Sequence, residues 1–539
     1  MSGYTISGQI IDIINKVIFK GIIVVENGKI SKISPSDTAD DQYILPGFID
    51  AHIHIESSMV TPYEFARTAL GHGTIATVSD PHEIANVCGL EGVQYMIENA
   101  KDAKLKFHFG APSCVPATAF ENAGATIGPS DIEELMQSSD IWYLSEMMNY
   151  PGVLADDPEI LAKIASAHKY GKPVDGHAPG LRGDNARKYI EHGISTDHEC
   201  VTLEEALDKL KYGMKIIIRE GSAAKNFDAL HPLIATHPEM VMFCSDDKHP
   251  DDLLIGHINL LVARSLALGY DLFDVLKIAC LNAVNHYKLP VGTLNIGDAA
   301  DFIVVQDLQS WQIKQTVING EIVFENDTPN KIHSKPQPII NQFNTLEVSP
   351  EALKVSDDGE LTPVICAIDG SLITEKLMTF LPVSDRNKMI DSDHDILKIV
   401  VINRYQPSKP AIGFIKNFGL KSCAIASTVA HDSHNIIAVG DDDDLLAKAI
   451  NQLVKSKGGL SAVSNTESKH IALPIAGLMS DLSVVEIGNA YTEISSFVKY
   501  RGCTLHAPFM TLSFMALLVI PKIKISDLGM FDAEEFHFY

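Results

Sequence analysis

Two histidines close the segment Pro46-Gly47-Phe48-Ile49-Asp50-Ala51-His52-Ile53-His54. Such a run reads as a short buried strand, and a strand sets residues i and i+2 on one face. His52 and His54 then project together from the strand end, where paired imidazoles suit a metal ion. Two ordinary core or surface histidines would look the same, so the rest of the chain decides. Further polar groups stand where other strand-like runs end: Glu146 in Leu144-Ser145-Glu146-Met147-Met148-Asn149, His177 in Asp175-Gly176-His177-Ala178-Pro179, His198 in Thr196-Asp197-His198-Glu199, and Asp246 in Phe243-Cys244-Ser245-Asp246-Asp247. Each alone reads more simply as structural. Four imidazoles and two carboxylates at the ends of five strands read as a site.

That ligand count fits two divalent metals bridged by a carboxylate. Held about 3.5–4 Å apart, two such ions bind a bridging water and lower its pKa until hydroxide exists near neutrality. Glu146 is placed to bridge them, with His52 and His54 on one side and His177 and His198 on the other. Asp246 binds one ion and serves as general base, then general acid. Mixed imidazole and carboxylate ligands suit zinc, manganese or iron.

The elements that must position these residues alternate. Strand-like runs at 48–54, 74–80, 105–113, 141–147, 173–177, 194–198, 215–219 and 241–246 are separated by helix-like stretches, among them 88–101, 156–170, 182–192, 202–212 and 250–268. Eight strands over about 240 residues predict a (β/α)8 TIM-type barrel, whose chemistry sits at the C-terminal strand ends. An open doubly wound sheet is the rival, weakened by the lack of G-x-G-x-x-G after the first strand. The flanks are β-rich. Asn27-Gly28 marks a hairpin, and a related pattern returns at Gly297-Asp298-Ala299-Ala300-Asp301-Phe302-Ile303-Val304-Val305. Residues 1–46 and 291–334 are therefore expected to form one small β-sandwich domain around a barrel of residues 47–290. A linker at Pro336 and Pro338 leads to a C-terminal α/β domain, 335–539, in which Ala430-His431-Asp432-Ser433-His434-Asn435 follows a strand-like run. The acidic run Asp441 to Asp444 reads as a solvated helix start favoured by the helix dipole.

Composition narrows the class. The 539 residues carry 43 basic against 69 acidic side chains, a formal charge of −26, which disfavours nucleic acid and anionic membranes as partners. Eight dispersed cysteines without C-x-x-C argue against a zinc ribbon or a disulfide framework. The start lacks a signal-peptide pattern, and the apolar run near Phe509 to Ile520 is short of the ~20 residues that span a bilayer. A soluble, cytoplasmic protein is expected. Among rival motifs, His54-Ile55-Glu56 lacks the P-C-x-x-C partner of zinc nucleobase deaminases, and His82-Glu83 is followed by Asn86 where H-E-x-x-H needs a second histidine.

Taken together, the strand-end ligands and the split β domain resemble the amidohydrolase superfamily. Many of its members bridge their metals with a carboxylated lysine after strand four, where this chain has Glu146. That departure joins Asp50-Ala51-His52-Ile53-His54-Ile55-Glu56-Ser57-Ser58, Asp80-Pro81-His82-Glu83, Gly176-His177-Ala178-Pro179-Gly180-Leu181, Ile218-Arg219-Glu220-Gly221-Ser222-Ala223-Ala224-Lys225 and His431-Asp432-Ser433-His434-Asn435. In combination they are similar to the bacterial and archaeal adenine deaminases over nearly the whole chain. The resemblance implies hydrolysis of adenine to hypoxanthine and ammonia in purine salvage, by a bridging hydroxide attacking C6 at a two-metal site of iron or manganese. Arg219, Ser222 and His82 are the candidates to grip the base. His431, Asp432 and His434 form a candidate lid, and deleting residues beyond about 335 is then expected to abolish activity while the barrel stays folded. A homo-oligomer is expected. The alternatives are another amidohydrolase, a nucleobase or nucleoside deaminase or cyclic amidase, and a non-catalytic barrel relic that holds no metal.

Overall fold

The computed structural model describes residues 3–326, 328–329 and 338–539; Pro336 of the expected linker lies outside them. At its centre are the parallel strands Phe48–Ile53, Thr74–Ser79, Lys106–Ala111, Ile141–Met147, Val174–Gly176, Thr196–Asp197, Lys215–Arg219 and Val241–Cys244. The first five pair in sequence order as one sheet and the last three as another. Bridges Val174–Ile194 and Ile53–Asp246 join the two sheets at both seams and close the ring. At the second seam the Asp246 N–H donates to the His52 carbonyl at 3.0 Å. The first and last strands are thus tied together where the polar residues gather.

Two spacers differ from expectation. The helix expected over 88–101 starts at His82 and runs to Lys101, with a break at Gly89 (φ 61, ψ −143). Glycine adopts that positive φ at no steric cost, so the first turns, carrying His82 and Glu83, take their own direction. The helix expected over 250–268 is two, Pro250–Ile255 and Ile258–Ala267, because the chain is extended at Gly256.

The flanking strands Tyr4–Asp12, Val17–Glu26, Lys29–Pro35 and Tyr43–Leu45 join Phe302–Val305, Ile313–Ile318, Glu321–Glu325 and Thr328–Pro329 in one eight-stranded sheet. Asn27 and Gly28 have φ of 52 and 78, the two positive values a type I′ hairpin requires. The sheet curls until Ile30 N–H reaches the Asp298 carbonyl at 3.0 Å, enclosing Ile10, Ile23, Phe302 and Val304.

Beyond residue 338 a second eight-stranded sheet carries the strands Cys423–Ser427 and Ile436–Gly440, which flank the His431–His434 loop. The acidic run is the start of helix Asp443–Ser456, with Asp442 accepting the Leu445 N–H at 2.9 Å. The apolar run near the end folds into the short helix Pro508–Ser513 and the turn Phe514–Ala516, both buried. Its residue Phe509 shares one continuous core with Ile49 and Val78 of the barrel and Ile425 of the second sheet. Among the described residues, no helix is long and apolar enough to cross a membrane.

Burial pushes His72, His108 and His286 down to about 4. An unfolded histidine takes up its proton near 6.5. Between roughly pH 6.5 and 4 the unfolded chain therefore binds more protons than the folded one, and stability falls as pH falls through that window. Urea midpoints measured from pH 7 downward are expected to decline steadily; a flat profile would contradict neutral burial of these imidazoles.

Candidate metal-binding active site

The six strand-end residues meet in one buried cluster. His52 and His54 bring their Nε2 atoms to 3.1 Å from each other and to 3.4 and 3.2 Å from Asp246 Oδ1. Glu146 faces both halves of the set. Its Oε1 is 3.3 Å from His54 Nε2, while its Oε2 is 2.6 Å from His177 Nδ1 and 3.2 Å from His198 Nε2. Asp246 adopts φ 53, a left-handed conformation that a non-glycine residue keeps only where its surroundings over-determine it.

Burial alone would raise both carboxyls. Neighbouring imidazoles, those of His177, His198 and His54, instead hold Glu146 well below the usual carboxylate range. For Asp246 the Arg219 guanidinium, with His52 and His54, does the same. Against its own burial, His177 is pushed up to about 9 by Glu199 and Glu146. The carboxylates are thus ionised, the form a cation binds.

The donor set fits a divalent transition metal. The triplets His52–His54–Asp246, His52–Glu146–His198 and His177–His198–Glu199 each hold ligand atoms within 4.8 Å of one another. His177 Nε2 is buried and makes no hydrogen bond among the described residues, so it can ligate a cation that displaces its proton.

The remaining sequence candidates divide. His82 stands beside the cluster, its Nδ1 3.0 Å from Asp80 Oδ2 and 3.4 Å from Glu146 Oε1. Arg219 lines the cavity, but its guanidinium is engaged: it donates to Asp246 Oδ2 at 2.7 Å and to both oxygens of Glu199. Ser222 is turned elsewhere, its hydroxyl donating to Asp252 Oδ2 at 2.5 Å and accepting the His249 N–H at 2.9 Å. It holds a loop. From the C-terminal region His431 and His434 clasp Glu83, with His431 Nδ1 2.5 Å from Oε1. Asp432 Oδ1 lies 3.8 Å from His82 Nε2.

Asp80, Glu83 and Glu199 carried no role in the sequence reading. Their only signal was adjacency to the histidines singled out there. A further unread support is Lys209, fully buried, which donates to Asp197 Oδ2 at 2.6 Å, Glu205 Oε1 at 2.8 Å and the Ala178 carbonyl at 2.7 Å. Asp197 Oδ1 in turn accepts the Glu199 N–H at 2.6 Å and so fixes the turn after His198. Lys209→Met leaves those carboxylates unpaired, and a loss of about 3–5 kcal/mol is expected in urea unfolding. A loss below about 1 kcal/mol would mean the ion pair is not what holds the turn.

Comparison with known proteins places these residues in context. The family model described as "Amidohydrolase family" matches residues 43–323, and "Adenine deaminase C-terminal domain" matches 371–537. An adenine deaminase from Sulfurovum sp. (strain NBC37-1) is 55% identical over 534 residues, covering 98% of each chain. Another from Salinibacter ruber is 49% identical over 539 residues, 100% of this chain and 98% of that one. A third, from Methanosarcina acetivorans, is 48% identical over 542 residues, 98% of each. Among solved structures, a β-aspartyl dipeptidase from Fervidobacterium islandicum AW-1 matches with a TM-score of 0.48 and 17% identity, over 62% of this chain and 100% of that one.

Proposed function

We propose that this chain, which belongs to the amidohydrolase family and within it to the adenine deaminases, hydrolyses adenine to hypoxanthine and ammonia at the strand-end cluster. It is an enzyme, a hydrolase of the exocyclic C–N bond. The observation that carries the siting is Glu146, whose two oxygens face His54 on one side and His177 and His198 on the other.

The family implies divalent metal binding, and the finer reading is two ions, manganese or iron, with zinc as the third choice. His52, His54 and Asp246 would hold one, His177 and His198 the other, with Glu146 between them. When bound, such ions lower the pKa of water towards neutrality and so supply the nucleophile.

The protein's own groups handle the protons and the substrate. Asp246 accepts a proton from the attacking water at its carboxylate and delivers it to the purine. The water oxygen becomes the oxygen on C6, and its two protons finish on N1 and on the departing ammonia. Arg219 is a positioning residue, because its contacts fix the Asp246 carboxylate against Glu199. His82, 3.4 Å from Glu146 Oε1, would grip the purine edge, and the loop of His431, Asp432 and His434, held by Glu83, would cover it.

The division into 1–46 with 291–334, 47–290 and 335–539 belongs to this reading and is supported by sheet membership. So does a cytoplasmic homo-oligomer without nucleic-acid or membrane partners, in keeping with the charge of −26.

The test is adenine turnover, followed as loss of ultraviolet absorbance, on protein loaded separately with manganese, iron and zinc. Conversion to hypoxanthine is expected with manganese or iron, and a chelator should abolish it. No conversion by protein carrying two bound ions would keep a hydrolase site and discard adenine.

A further inference from the structure

Behind the loops that carry Arg219 and Asp246 lies a second cavity, of about 130 Å³, bordered by Glu220, Lys225, Lys248, Asp252, Ile255 and Leu260. Lys248 is 8% exposed, yet its ammonium makes no hydrogen bond or ion pair among the described residues. Three carboxylates near it have other partners, while a fourth, Asp251, leaves its buried Oδ1 without a hydrogen bond among the described residues. Asp252 accepts from Ser222 at 2.5 Å, Glu220 pairs with Arg264 at 3.3 Å, and Asp50 pairs with His257 at 2.8 Å. Lys225, which is exposed, also lines this space.

Buried charges are ordinarily paired or bound to a counter-ion. The cavity is several times the roughly 10–15 Å³ that one water needs, enough for a tetrahedral oxyanion. Its rim is apolar, with Ile255 71% and Leu260 42% exposed. We propose that this cavity binds a phosphate group, free or as a nucleoside monoester, through Lys248 and Lys225. The organic part of an ester would rest on Ile255 and Leu260.

The position has a consequence for the active site. The Ser222 N–H donates to the Asp247 carbonyl at 2.8 Å, so the loops after the seventh and eighth strands form one layer between the two cavities. An anion on Lys248 braces that layer two residues from Asp246 without touching the substrate.

The experiment is isothermal titration calorimetry on metal-loaded enzyme with inorganic phosphate and with adenosine 5′-monophosphate. Saturable binding is expected in the wild type, weakened about tenfold or more in Lys225→Ala and absent in Lys248→Met. Adenine turnover of Lys225→Ala in phosphate-free buffer is expected to be unchanged, which keeps the test intact if Lys248→Met fails to fold. Tighter binding of the monophosphate than of phosphate identifies an ester ligand, and equal binding identifies the free ion. The proposal is overturned if neither binds, if Lys225→Ala binds both as tightly as the wild type, or if adenine displaces them.

Discussion

Asp246→Asn is expected to lower adenine turnover by about 10²–10⁴-fold, the range that removal of a general acid–base group costs. The argument rests on where this side chain stands. Oδ1 faces His52 and His54, and Oδ2 accepts from Arg219. An amide keeps the shape and one oxygen for the histidine side but can neither take up nor release a proton. Its nitrogen, turned towards Arg219, would meet a donor. Metal content measured on the same sample separates two causes. Loss of turnover with the bound metal retained identifies proton transfer, whereas loss of turnover and metal together identifies ligation. Turnover within about threefold of wild type would remove Asp246 from the mechanism.

Much of this site was legible because parallel barrel strands are buried on both faces and so read as continuous apolar runs. Ile141–Met147 and Val241–Cys244 are buried almost throughout, and a polar residue at the end of such a run stands out. Glu146 and Asp246 were found in that way. Contacts between distant segments leave no comparable trace. Glu83 meets His431 across 348 residues of chain, and nothing in the periodicity around either one encodes the other. Arg219 and Ser222 stand three residues apart at a strand end, yet one reaches Asp246 and the other Asp252. The Ser222 N–H donates to the Asp247 carbonyl and pins the turn, and that is a tertiary contact. The start of the helix at His82 was hidden for a local reason. Gly89 looks like the end of a loop, and in the fold it is a break within a longer helix.

Glu83→Gln is expected to cost about 10²-fold in adenine turnover, the scale on which a small misplacement at the site acts. Each Glu83 oxygen holds one imidazole of the C-terminal loop. Burial would raise this carboxyl, but His431, His434 and His82 hold it well below the usual range. In return, against burial of its own ring, His431 is pushed up to about 9 by Glu83 and Asp247. Glutamine removes the charge and offers one oxygen where two imidazoles need acceptors. A buried partner is then stranded, at about 3–5 kcal/mol, and the loop loses the clasp that sets it over the barrel. The cavity beneath is narrow, about 20 Å³, room for one or two waters at the roughly 10–15 Å³ that each needs. If the loop of His431, Asp432 and His434 closes over the bound purine, Glu83 is the residue that sets its closed position. Deleting everything beyond about 335 is not the cleaner test the sequence suggested. Ile425 and Phe509 share their core with Ile49 and Val78, so that cut strips the barrel of its own packing. The single substitution leaves the core whole. A folded, metal-loaded Glu83→Gln enzyme with wild-type kcat and KM would show that the C-terminal loop takes no part in closing the site.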